Sequence, residues 1–187
     1  MNKTIDTLLL DLGGVLIDVD YQRTARAFHA LGFDDFEAQF SKAKQTPLFD
    51  RFEVAAISPA EFRDSVRELF RPNLTDREID ACWNAMLGSI PPTRIELVKA
   101  LGQRYRLLLL SNTNAIHVPA FHAIIAQENG IPDFKELFEG AYYSCEIGLR
   151  KPDAESFQFA LAQHGAAPER TLFIDDSIQH VVGARNA

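Results

Sequence analysis

Apolar residues fall along this chain in two rhythms. Three short runs, at residues 6–10 (DTLLL), 106–110 (RLLLL) and 171–174 (TLFI), are almost continuously apolar and stop at a polar residue or an acid. Runs that short and that unbroken suit strands buried on both faces of a parallel sheet. Between the first two, residues 21–86 read almost wholly as helix. Three helix openings are predicted, at Ser58-Pro-Ala-Glu61, Thr75-Asp-Arg-Glu78 and Thr93-Arg-Ile-Glu96, each with a capping hydroxyl three residues before a glutamate that reaches back to the cap. Pro59 reinforces the first opening, and Gly88, after WNAML, is expected to close the second helix. A strand, a long helical stretch and then renewed strand–helix alternation predict a doubly wound α/β domain, residues 1–17 and 91–187, interrupted by a helical cap at 18–90. Pro91-Pro92 marks the return to the α/β domain.

Composition narrows the class. With 187 residues, 47% of them apolar and 14 of them Phe, the chain can bury one good core plus a small insertion. A net charge of -7 argues against a nucleic-acid or anionic-membrane partner, since those surfaces are met by clustered Lys and Arg. A phosphorylated substrate would therefore need local help from a cation. Cys82 and Cys145 have no metal-site spacing and read as small buried hydrophobes, which fits a reducing cytoplasm. Near the N-terminus Asp6 and Asp11 interrupt the apolar segment, so neither an export signal nor a membrane span is expected there. His117 and His122 lie five apart, off the spacing that helical zinc sites use.

The ends of the apolar runs carry the chemistry. LLL delivers Asp11, LLLL delivers Ser111 and Asn112, and LFI delivers Asp175 and Asp176; Lys151, in GLRKPD, supplies a cation. In a doubly wound sheet, ligands bind beyond the carboxyl ends of the strands, so these distant residues are expected to converge. Singly, each has a plain structural explanation as a turn or a helix cap. Together, adjacent carboxylates at a buried strand end repel one another unless a cation joins them. Magnesium, which prefers carboxylate and carbonyl oxygens and serves phosphate chemistry, is the natural candidate.

With DLGGVLID, LLLLSNTN, GLRKPD and FIDDS in that order, the chain resembles the haloacid dehalogenase superfamily of hydrolases over nearly its whole length. It is most similar to the capped phosphatase branch that includes sugar-phosphate phosphatases and the phosphatase domain of epoxide hydrolases. The resemblance implies that Asp11 is the nucleophile that becomes an aspartyl phosphate. It implies that Ser111 and Asn112 hold phosphoryl oxygens, that Lys151 neutralises charge on nucleophile and phosphate, and that Asp175 assists. Magnesium would be held by Asp11, the Gly13 carbonyl and Asp176, and the partner would be a small phosphorylated metabolite.

Two positions depart from that pattern. Where most of these phosphatases carry an acid two residues after the nucleophile, this chain has Gly13, which keeps a carbonyl for the metal but has no proton to give. His180 stands where related chains often place Asp or Asn, and it is read as a structural histidine. Missing the acid favours leaving groups that need little protonation, such as sugar 1-phosphates or acyl phosphates. Asp18, Asp20, Asp50 and Glu53, in the cap and its hinge, are alternative proton sources, although solvated surface acid is the simpler role for each. Two other functions stay open at this level: a metal-independent 2-haloacid dehalogenase, which would carry an aromatic residue in place of Gly13, and a non-catalytic domain that binds phosphate or a partner. The family runs on into a final strand after the point where this chain ends, at Ala187.

Overall fold

Alternate leucines of the apolar runs feed opposite faces of one sheet. The computed structural model describes residues 4–33, 47–69 and 73–187. Among them β1 (Thr7–Leu10) is followed by the helices α1 (Tyr21–Ala30), α2 (Leu48–Glu53), α3 (Pro59–Leu69), α4 (Asp76–Asn84) and α5 (Pro92–Gly102). Then come β2 (Arg106–Ser111), α6 (His117–Asn129), β3 (Gly140–Tyr143), α7 (Ser144–Ile147), α8 (Ala154–Ala162), β4 (Thr171–Ile174) and α9 (Ile178–Asn186). The four strands pair in the order β3-β2-β1-β4, all parallel, with Leu9 beside Leu108 on one side and Phe173 on the other.

Leu8, Leu10, Leu107 and Leu109 face α5 and α6, packing with Ile95, Val98, Phe121 and Ile125. Leu9, Leu108 and Leu110 face the other way, onto Phe157, Ala160 and Leu161 of α8. Period-two alternation within an all-leucine run thus fills two cores, which is why the run shows no polar positions. β4 departs from the expectation of burial on both faces. Its Leu172 and Ile174 are 48% and 37% exposed, because β4 is the sheet edge and α5 and α6 lie over the central strands. β3 was not foreseen: GAYY is four residues long, opens on glycine and shows neither an apolar run nor alternation.

The helices between β1 and α5 have a core of their own, with Phe28, Phe52, Phe62, Ile79 and Trp83 all buried. Thr75 forms the full capping box with Glu78, and Ser58 and Glu61 make the same reciprocal bonds. Thr93 does not cap. α5 begins one residue earlier at Pro92, whose fixed φ and missing N–H suit the first helical position. Nor does Gly88 close α4, which ends at Asn84. It serves a close crossing instead: its N–H donates to the Asp18 carbonyl at 2.8 Å, and a Cβ there would lie 2.7 Å from that oxygen. Asp18 N–H to Ser89 O, Asp20 N–H to Met86 O and an antiparallel bridge between Val19 and Leu87 complete a two-stranded ribbon joining the helical segment to the sheet. Among the described residues, no helix is long and apolar enough to cross a membrane.

Candidate active site

β1 hands over to Asp11, whose backbone N–H still bonds Ile174 O of β4 at 2.9 Å, so the carboxylate leaves the sheet from a rigid base. The chain then turns through the two glycines, which do different work. Gly14 has φ +73°, and a Cβ on it would collide with the Asp176 carboxylate. Gly13 is not in the left-handed region, and a Cβ there would only touch Val19 Cγ2 at 3.4 Å. The tight turn therefore requires glycine at 14, while glycine at 13 leaves space.

Lys151 is wholly buried. Its Nζ lies 2.7 Å from Asp11 Oδ1 and 2.6 Å from Asp175 Oδ2. Its backbone is clamped by Asn112, whose Nδ2 donates to Lys151 O at 2.8 Å and whose Oδ1 accepts from Lys151 N at 2.9 Å. The Asn112 side chain thus positions the lysine loop. Burial alone would raise the Asp175 carboxyl. Hydrogen bonds from His180 and Lys151, the lysine's charge and the Ser177 N–H outweigh that and hold it at about 2. Burial pushes the Asp11 carboxyl up, against the pull of the Lys151 ammonium.

Asp11, Asp175 and Asp176 present carboxylate oxygens within 4.8 Å of one another, a cluster with space for a metal ion. Two of the three, Asp11 and Asp175, share the Lys151 ammonium. Asp175 is spent on Lys151 and His180 and Asp11 gives Oδ1 to the same lysine, while the Asp176 carboxylate lies against the Gly14 turn as the acid not engaged by Lys151. An all-oxygen, net-negative donor set fits magnesium better than a softer transition metal.

Above the carboxylates a cavity of about 340 Å³ reaches from Gly13, Ser111 and Asn112 to the helical segment. Ser111 is buried at the end of β2. The four acids considered as proton sources separate clearly. Asp18 pairs with Arg94 at 2.8 Å, and Asp20 caps α1 and pairs with Arg26 at 3.1 Å. Asp50 and Glu53 line the cavity and both meet Arg150, at 3.1 and 2.9 Å. Burial pushes the Glu53 carboxyl up despite that arginine.

Three contributors are not among the expected site residues, His180 being read from the sequence only as structural. His180 grips Asp175 with Nδ1 at 3.0 Å from both oxygens; its spacing, one helical turn beyond the acids, was the available signal. Arg150, beside Lys151 in the motif, ties the lysine loop to α2. Ser144 is buried and bonds both the N–H and the carbonyl of Thr113, tying the β3 end to the β2 loop, and nothing in its local pattern marks it.

A parallel sheet with this acid–lysine cluster beyond its carboxyl edge and a helical segment after β1 defines a haloacid dehalogenase-type hydrolase. Residues 5–187 match the family model of the haloacid dehalogenase-like hydrolases, and the chain belongs to that family. It is similar to D-ribitol-5-phosphate phosphatase of Bacteroides thetaiotaomicron, 28% identical over 177 residues covering 95% of this chain and 85% of that one. It is also similar to a sesquiterpene phosphatase of Aspergillus oryzae, 25% identical over 99% of this chain and 87% of that one. A crystal structure of a haloacid dehalogenase family enzyme from Bacteroides thetaiotaomicron, wild-type and in complex with magnesium and inorganic phosphate, aligns with a TM-score of 0.84. That protein is 36% identical, with 97% of this chain and 90% of that chain covered.

Proposed function

We propose that this chain is a magnesium-dependent phosphatase of small phosphorylated metabolites that works through an aspartyl phosphate on Asp11. The observation that carries the reading is the buried Lys151 ammonium bridging Asp11 and Asp175 at the open edge of the sheet. Phosphoryl transfer asks chiefly for alignment and for charge stabilisation, and this cluster offers both. A carboxylate oxygen of Asp11 attacks phosphorus, the bond from phosphorus to the ester oxygen breaks, and the leaving oxygen takes up a proton. Water then attacks phosphorus and gives up a proton to solvent, the bond from phosphorus to the Asp11 oxygen breaks, and inorganic phosphate leaves as the Asp11 carboxylate is restored. Lys151 offsets charge on the nucleophile and phosphoryl group, Ser111 and the Asn112 backbone seat phosphoryl oxygens, and Asp175 with His180 keeps the lysine aimed. Asp11, Asp176 and the Gly13 carbonyl would hold a magnesium ion, which would further neutralise phosphoryl charge.

Relatives named for a ribitol phosphate and a sesquiterpene, and one crystallised with magnesium and phosphate, support the reaction class. Gly13 supports a preference for leaving groups that depart with little protonation, a property shared by sugar 1-phosphates, acyl phosphates and aryl phosphates. Residues 18–90 act as the cap over the cleft in this reading. The test is a magnesium-supplemented screen of phosphorylated metabolites beside an Asp11→Asn control. Turnover is expected only with the aspartate, falling by at least about 10³ in the amide variant. Turnover surviving in Asp11→Asn would remove the mechanism.

A further inference from the structure

The cavity that opens beside Gly13, Ser111 and Asn112, next to Asp11, is walled by parallel rings from three different helices. Phe49 of α2 stacks on Trp83 of α4 with centroids 5.5 Å apart and planes at 6°. Trp83 stacks in turn on His117 of α6 at 5.4 Å and 5°. All three rings line the cavity, and Val19, Met86 and Leu87 from the connecting ribbon complete its apolar side. Cations are missing from this lining: no described lysine or arginine contributes to it, whereas Asp50 and Glu53 do. His117 adds no positive charge at neutral pH, because burial lowers its imidazole to about 4 and its Nδ1 is engaged with Asn84 Oδ1 at 2.8 Å. Two polar groups near the rings are also committed. Asn114 Oδ1 accepts from the N–H groups of Ile116 and His117, and the Thr113 N–H donates to Ser144.

A leaving group entering this space exchanges water for rings and aliphatic carbon. An apolar group gains from that exchange, whereas a polyol loses hydration that the rings, aliphatic carbon and the two committed groups beside them do not replace. A second anionic group would find no described lysine or arginine of its own in this lining, since the cation nearest Asp50 and Glu53, Arg150, is already paired with both. We propose that the cavity selects phosphate monoesters of uncharged aromatic or arylalkyl alcohols, seated with the ring against the Phe49–Trp83–His117 wall. The proposal rests on the phosphatase reading above and narrows its leaving group. Aryl esters satisfy both constraints of the site, since a phenolate departs with little protonation and its ring fits the wall.

The test compares 2-phenylethyl phosphate with ribitol 5-phosphate on the intact chain with magnesium. Both are primary alkyl esters, so the ease of departure is matched and the cavity is what differs. A kcat/KM about tenfold or more higher for the phenyl ester, carried mainly by KM, is expected, and a carboxylate on the ring should cancel that gain. Equal values, or a preference for ribitol 5-phosphate, would overturn the proposal. Phe49→Gln and Val19→Asn are each expected to cut the phenyl-to-ribitol ratio by at least about threefold; an unchanged ratio in both folded variants would also overturn it. If no ester is hydrolysed, acetyl phosphate included, the phosphatase reading fails, and the cavity is then judged by calorimetry on the magnesium-loaded protein. Tighter binding of 2-phenylethylphosphonate than of 2-hydroxyethylphosphonate supports the wall, and equal binding refutes it.

Discussion

Lys151 and Trp83 are 0% and 8% exposed, yet they are held in place by different means. Lys151 is fixed by direction: two carboxylates take its ammonium and both ends of the Asn112 amide take its backbone. Trp83 is fixed by area, sandwiched between Phe49 and His117 and touching Phe62 at 5.0 Å. Buried charge needs every partner present, because removing one leaves the others uncompensated in a poorly solvating interior. Ring packing is non-directional and degrades in steps. The chemistry is therefore mounted on the intolerant kind of support, and the part that meets the variable half of a substrate is mounted on the adaptable kind.

The sharpest way to break that contrast is Lys151→Met, which keeps much of the side-chain volume and deletes the charge. It should cost about 3–5 kcal/mol of stability by leaving Asp11 and Asp175 unneutralised, measured by chemical denaturation, and added magnesium should not restore its activity. Asp176→Ala should behave differently, with activity that falls at low magnesium and returns as the metal is raised. Equal rescue of the two variants would collapse the distinction between a fixed and an exchangeable cation.

Acid should separate the regions by pH. His117 titrates at about 4 in the folded chain against an ordinary 6.5, so the unfolded chain takes up its proton first as pH falls. Stability contributed by the neutral ring is full above pH 6.5 and is lost as pH falls towards 4, by about 3 kcal/mol. Asp175, held at about 2 against an ordinary 3.8, keeps its contribution above 3.8 and loses it as pH falls through about 2. Denaturation at pH 7 and pH 5 should show a loss that His117→Phe largely removes; an unaltered slope in that variant would mean the ring stack is not the acid-sensitive element. The smallest effect is expected from Gly13→Asp. Residue 13 has an ordinary φ and only Val19 Cγ2 nearby, so a donor can be added, and rates on primary alkyl phosphates should rise by about tenfold or more while those on aryl phosphates barely change.

What the sequence disclosed follows the same division. The leucine runs and the polar residues that end them announced the sheet and the positions of Asp11, Ser111, Lys151, Asp175 and Asp176, because a strand buried on two faces and an exposed chemical terminus both leave local marks. Helix openings at Ser58 and Thr75 were equally local. β3 was not legible, since its four residues become a strand only by pairing with β2. The Asn112 side chain also braces Lys151 from 39 residues away, a relation that no spacing encodes. The ring wall was equally hidden, since Phe49, Trp83 and His117 belong to three helices and meet only after packing.

The ribbon formed by Val19 and Leu87 has a bearing on how such a chain could be rearranged. Its hydrogen bonds bring the departing and returning backbone side by side, so the entire helical excursion begins and ends at one spot. The entropy cost of closing a loop rises only slowly with its length, by about 0.6 kcal/mol for each doubling, so a longer or shorter excursion changes it little. The excursion thus leaves and returns through one covalent gateway, steadied by the Arg150 pairs and the Trp83–His117 stack: another helical segment spliced between Asp18 and Ser89 would inherit the same gateway but would have to rebuild those side-chain contacts.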